Sequence, residues 1–183
     1  MIRALLRMVR DRRGAALVEF TLIVPILLSL SLTGFEMGRL LLADQKVSHA
    51  AGIVADLVAQ SESTPTVGEL AVLMGAAREV ASPFDLAAEG KVIVSSFTLG
   101  GNQQPRLNWR RADNGALAAQ SRIADALPAG LADPALPQST LLTAEVFYRH
   151  ATTVYTPIDL AGTLYHAALA RPRVVPMTNV PQN

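Results

Sequence analysis

From Ala15 to Phe35 the chain runs through 21 residues with a single charged group, Glu19. That length matches the roughly 20 residues a helix needs to cross a bilayer, so the pattern predicts a transmembrane helix. Pro25 within it removes one backbone hydrogen bond, which membrane helices tolerate better than soluble ones. The helical period then continues, because Leu40, Val47 and Val54 recur every seven residues with Ala43, Ala50 and Leu57 between them. Two arrangements satisfy that spacing: a short heptad seam, or an amphipathic helix lying on its own domain. A single helix over 15–60 would be about 70 Å long. Ser61-Glu62-Ser63-Thr64-Pro65 then breaks it with polar residues and a proline.

Thr66 and Glu69 have the spacing of a capping box, and Leu70, Leu73, Met74, Ala77 and Val80 follow on one helical face. The expected helix covers 67–81 and stops at Ser82-Pro83, since the residue before a proline is pushed out of the helical region. Lys91 to Thr98, a Gly100-Gly101-Asn102 turn and Arg106 to Arg111 read as a hairpin. Asp113-Asn114-Gly115 marks another turn, and Leu127 to Pro137, with three prolines and a glycine, reads as an irregular loop. Thr140 to Tyr148 alternates, setting Leu142, Ala144, Val146 and Tyr148 on one face and Leu141, Thr143, Glu145 and Phe147 on the other. Its expected partner is Thr152 to Tyr155 or Ala170 to Val175, with Pro157 to Leu169 left for a helix. The fold class is α+β: a long N-terminal helix, then a small domain with a short helix and an antiparallel sheet. The expected divisions are 1–14, a basic leader; 15–60, the helix, with 15–35 in the membrane; and 61–183, the α+β domain.

Charge changes the picture once it is divided at the start of the apolar run. Of 16 Lys and Arg, five lie at or before Arg13 with only one of the 15 acids, leaving 11 basic and 14 acidic side chains behind them. The basic balance thus belongs to the leader, and by the positive-inside rule it keeps the N-terminus in the cytoplasm and sends the body across. A mildly acidic body with one Trp lacks the basic stripe that nucleic acid requires. There is no cysteine, which removes disulfides, thiolate metal sites and a cysteine nucleophile.

The residues suggest neither catalysis nor a metal or cofactor. His49, His150 and His166 stand apart from one another in sequence, His49 on the helix and His150 at a polar strand end, and no HExxH, GxSxG, P-loop or dinucleotide fingerprint occurs. Asp44, Asp56 and Glu62 read as the solvated face of a helix. Gly34 and Gly38 form a small-xxx-small pair through which another helix can approach.

Attention then falls on the junction Gly14-Ala15-Ala16-Leu17-Val18-Glu19-Phe20, behind Arg12-Arg13. A carboxylate within a membrane-length segment is costly and marks a functional position. A secretory signal, with Ser29-Leu30-Ser31 offering a cleavage site, and an uncut signal anchor are the competing readings. Arg12 to Phe20 through Pro25, followed by Glu36-Met37-Gly38-Arg39, resembles the class III signal sequence of the type IV pilin superfamily, and more narrowly the TadE-like proteins of tight-adherence (Flp) pilus systems. Thr21 stands where that family more often has alanine. Ala55 to Gln60, Ser95-Ser96, Trp109 and Arg171-Pro172-Arg173 are similar to features of its longer members.

The resemblance implies a minor pilin or pseudopilin. A prepilin peptidase would cut after Gly14, leaving Ala15 as the new N-terminus and Glu19 as the fifth residue, with Phe20 completing the processing site. Glu19 would set register against a neighbouring subunit, and Gly34 and Gly38 would pack helices. Implied partners are the peptidase, other pilins and minor pilins, and the inner-membrane pilus platform. The protein would cross the inner membrane once, its body periplasmic, with a priming or tip role suggested by a body larger than that of the major Flp subunits. The alternative is an uncut, membrane-anchored periplasmic binding or assembly protein of the same machinery.

Overall fold

The structure, a computed structural model, describes residues 13–99, 105–123, 140–154 and 156–182. The basic leader, the Gly100-Gly101-Asn102 turn and the 127–137 loop lie outside the described residues. In chain order the elements are α1 (Arg13–Ala59), α2 (Val67–Ala81), α3 (Leu86–Glu89), β1 (Gly90–Leu99), β2 (Pro105–Ala112), β3 (Thr140–His150) and β4 (Gly162–Ala170). They form two compact units: one holds α1 up to Arg39 together with Thr152–Leu160, and the other holds Leu40–Ala151 and the chain from Ala161 onward.

In the second unit the four strands are antiparallel in the order β2-β1-β3-β4. The expected hairpin is β1 and β2, with an irregularity between Ser96 and Phe97. Val92, Val94, Leu142, Ala144, Val146 and Tyr148 join one core with Ala43, Val47, Ala50, Ala51, Val54, Ala55, Val58 and Ala59 of α1. Four of the six heptad positions, Ala43, Val47, Ala50 and Val54, are therefore used within the chain, on an amphipathic face in the core it shares with the sheet, while Leu40 and Leu57 are only partly buried. Five of those eight α1 side chains are alanine, and Ala144, Ala168 and Ala170 of the sheet belong to or pack against the same core.

The α2 helix adds Leu70, Met74, Ala77 and Ala81 to the same core. Its predicted capping box is complete: Thr66 Oγ1 accepts from the Glu69 N–H at 3.3 Å, and the Thr66 N–H donates to Glu69 Oε2 at 2.8 Å. That backbone bond, with the Thr66 hydroxyl, holds the Glu69 carboxyl below its usual range. The turn at 113–115 closes through Asp113 Oδ1, which accepts from Val92 N at 2.9 Å and Gly115 N at 3.1 Å. Gly115 is required there, since a Cβ would lie 2.4 Å from the Gly90 carbonyl oxygen.

One expectation is corrected. The partner of β3 is Gly162–Ala170, inside the stretch assigned to a helix, and not 152–155 or 170–175. Alanine and leucine favour a helix in isolation. The open edge of β3 wins by offering a full ladder, and period two then sorts Leu164, Ala168 and Ala170 toward the core. The short α3, capped by Asp85 Oδ1 on the Ala87 and Ala88 N–H groups at 3.0 Å, was also absent from the sequence reading.

The chain beyond β4 seals the unit without regular structure. Met177 is fully buried, and its carbonyl accepts from Trp109 Nε1 at 3.0 Å and Ser96 Oγ at 2.5 Å. Trp109 is the sole tryptophan and is buried, so its emission reports unfolding of this unit. In denaturant titrations of the detergent-solubilised chain, Leu142→Ala, at a fully buried site, is expected to lose about 2–5 kcal/mol. Leu169→Ala, on the partly exposed outer face of β4, should lose less than about 1 kcal/mol.

Candidate functional site

The first part of α1 differs from the rest of the molecule in what it leaves uncovered. Leu17, Val18, Phe20, Leu22, Ile23, Ile26, Leu27, Leu28 and Leu30 are each at least half exposed. Among the described residues this is the one helix long and apolar enough to cross a membrane. The helix continues through Pro25. Thr21 and Thr33 turn their hydroxyls back onto the Leu17 and Ser29 carbonyls, each at 2.7 Å, so neither needs a partner from outside the helix.

The predicted junction residues Gly14, Ala15, Glu19 and Phe20 all lie on this exposed stretch. Ala15 and Glu19 are four apart and share a helix face. Gly34 and Gly38 share a face too, and a Cβ at either would meet nothing within 4 Å. The two sets are not brought together, being separated along the rod by about 22 Å from Glu19 to Gly34.

Glu36 is the exception to the exposure, for it is fully buried within the first unit. Arg39 Nη1 donates to its Oε1 at 3.2 Å, the Thr153 N–H donates to the same oxygen at 3.2 Å, and Arg39 also binds Thr153 Oγ1. A buried carboxylate held by a guanidinium and a backbone N–H is compensated on two sides. Glu36-Met37-Gly38-Arg39 stands out in the sequence, but nothing in its spacing points to Thr153, 117 residues away, as a partner.

Other polar pairs in the second unit were also invisible to spacing. His166 Nε2 lies 2.7 Å from Asp44 Oδ1, and Arg173 Nη2 lies 2.5 Å from Asp56 Oδ1, so two acids read as solvated have partners over a hundred residues away. His150, expected at a polar strand end, is buried. Glu145 is fully buried and accepts from the N–H groups of Arg122 at 2.8 Å and Ile123 at 3.2 Å, from Tyr165 Oη at 3.0 Å, and from Ser121 Oγ. Its oxygens are occupied in fastening 121–123 to the outer sheet face, while the Arg122 guanidinium stacks 4.7 Å from the Tyr165 ring. Among the described residues no group of three or more His, Asp or Glu is placed to hold a metal.

Residues 14–56, roughly a quarter of the chain, match the family model described as TadE-like protein. The N-terminal segment is TadE-like. No curated protein and no solved structure matches the chain significantly. The TadE-like segment begins at Gly14 and spans Glu19, Pro25, the glycine pair and the Glu36–Arg39 cluster. The family is one of pilus assembly in Tad systems and not of catalysis. Two stretches noted for their likeness to longer members, Ala55 to Gln60 and Arg171-Pro172-Arg173, meet at the end of α1. The Arg173 N–H donates to the Ala59 carbonyl at 2.9 Å while its guanidinium pairs with Asp56.

The Glu145 cluster makes a measurable statement. Burial, reinforced by the bond to Glu145 and its charge, pushes the Tyr165 hydroxyl up to about 12. A raised pKa means stability that is complete below the unfolded value near 10 and is lost as pH rises toward 12. Phenolate absorbance should show one tyrosine titrating near 12, absent in Tyr165→Phe and shifted down in Glu145→Gln. An unchanged titration in Tyr165→Phe would contradict the assignment.

Proposed function

We propose that this chain is a minor pilin or pseudopilin of a Tad (Flp, tight-adherence) pilus, anchored in the inner membrane by α1 and released for assembly when a prepilin peptidase cuts between Gly14 and Ala15. The observation that carries this reading is the TadE-like match beginning at Gly14, on a helix whose apolar side chains are exposed and whose first charge behind Gly14 is Glu19. The physical logic is direct. Gly14 carries no side chain and Ala15 and Ala16 are small, so the peptide between them is uncrowded. Removing the arginines before it would free the helix from the cytoplasmic face to be drawn outward.

Glu19 supports the same reading. A lone carboxylate in lipid is unfavourable, whereas one facing the new Ala15 ammonium of a neighbouring subunit gains a charge-assisted hydrogen bond. Gly34 and Gly38, open on one face, would let a second helix approach closely. The periplasmic body, larger than the helix it follows, favours priming or capping a fibre over repeating along it. The work of such a subunit is structural and needs no catalytic group.

N-terminal sequencing checks the cut. Ala15 is expected as the first residue in cells that have the peptidase and Met1 in cells that lack it. Met1 in both would favour the uncut, membrane-anchored assembly protein, and Leu32 would indicate a secretory signal. Glu19→Ala is expected to be processed yet to lose most pilus assembly, measured as sheared surface fibres per cell; normal fibre yield would remove Glu19 from the assembly step.

A further inference from the structure

We propose that the described residues of the connection between β3 and β4, 152–154 and 156–160, form a lipid-contacting element that rests in the bilayer interface beside the outer end of the span. The inference depends on the reading of α1 as a membrane helix and adds a second point of contact to it.

The argument starts from length. Between Glu19 and Glu36 lie 16 charge-free residues, about 24 Å of helix against a hydrocarbon core of about 30 Å. With Glu19 near one boundary, Glu36 falls at or just inside the other. Its carboxylate is treated accordingly: it is fully buried, paired with Arg39 and bonded to the Thr153 N–H, while its helix neighbours Phe35 and Met37 are 58% and 42% exposed. Arg39, with 31% of its side chain exposed, is long enough to carry its charge toward the headgroups.

The Thr153 bonds tie the connection to that depth, because it belongs to the same compact unit as the helix up to Arg39. Its tip suits an interface. Ile158 is 57% exposed, Pro157 beside it is exposed, and Thr156 Oγ1 donates to the Ile158 carbonyl at 2.5 Å, occupying an acceptor that lipid would leave unsatisfied. A single exposed isoleucine has no meaning by itself. Here it follows five residues after Thr153, whose N–H is bonded to the carboxylate one residue past the end of an apolar span. Asp159 limits the depth, holding the tip at the boundary of headgroups and acyl chains and out of the hydrocarbon centre.

The chain has no cysteine, so Ile158→Cys and Leu27→Cys can each carry one environment-sensitive fluorophore on the full chain, reconstituted in phosphatidylethanolamine–phosphatidylglycerol vesicles. Lipids spin-labelled high on the acyl chain should quench the Ile158 label several-fold and deep labels much less, with the order reversed at Leu27. An Ile158 label quenched by aqueous iodide and not by lipid overturns the proposal, as does one reached by neither, which would mean a protein cover. A Leu27 label untouched by either lipid would instead overturn the membrane reading itself.

Discussion

One helix has to satisfy two surroundings, and the organisation of the chain follows from where it changes from one to the other. From Leu17 to Phe35 apolar side chains occupy its whole circumference and are largely uncovered. From Ala43 to Ala59 the apolar residues narrow to a stripe that is buried. A helix apolar all round asks for lipid or other helices, whereas a one-sided stripe asks for a layer to lie on. That stripe is alanine and valine, and the sheet face in the same core combines small side chains, Ala144, Val146 and Ala168, with the larger Leu142 and Tyr148. The extended chain after β4 completes the arrangement by binding the last carbonyl of the helix through the Arg173 N–H.

Buried carboxylates do the joining elsewhere, in each case bringing together segments far apart in sequence. Glu36 holds Thr153, Asp113 holds Val92 and Arg78, and Glu145 holds Ser121 to Ile123 along with Tyr165. Each acceptor is surrounded by donors. With their oxygens taken up by donors from their own chain, these groups act as fasteners. On the helix surface, by contrast, Glu19 is exposed, with no such set of donors around it among the described residues.

Much of this was legible beforehand because it rests on local periodicity. The charge-free run after Glu19, the capping box at Thr66 and Glu69, and the alternation in Thr140 to Tyr148 each carry their signal within a few residues, and each is found in place. The β4 strand was misread for the opposite reason. Its alanines and leucines are good helix formers, and only the unpaired edge of β3 makes them a strand. The same holds for Asp44 with His166 and Asp56 with Arg173, where neither partner's sequence neighbourhood contains the other.

By itself, then, the amino-acid sequence determined the long apolar helix, the junction at Gly14 with its following carboxylate, and the α+β class, because period, charge and length act over short stretches of chain. Only the tertiary structure decided that the stripe from Ala43 to Ala59 lies on its own sheet, that Gly162–Ala170 is the fourth strand, and that Glu36 is bonded to Thr153. Those outcomes depend on which surfaces remain open after the local elements have formed, a property of the assembled fold that no window of neighbouring residues contains.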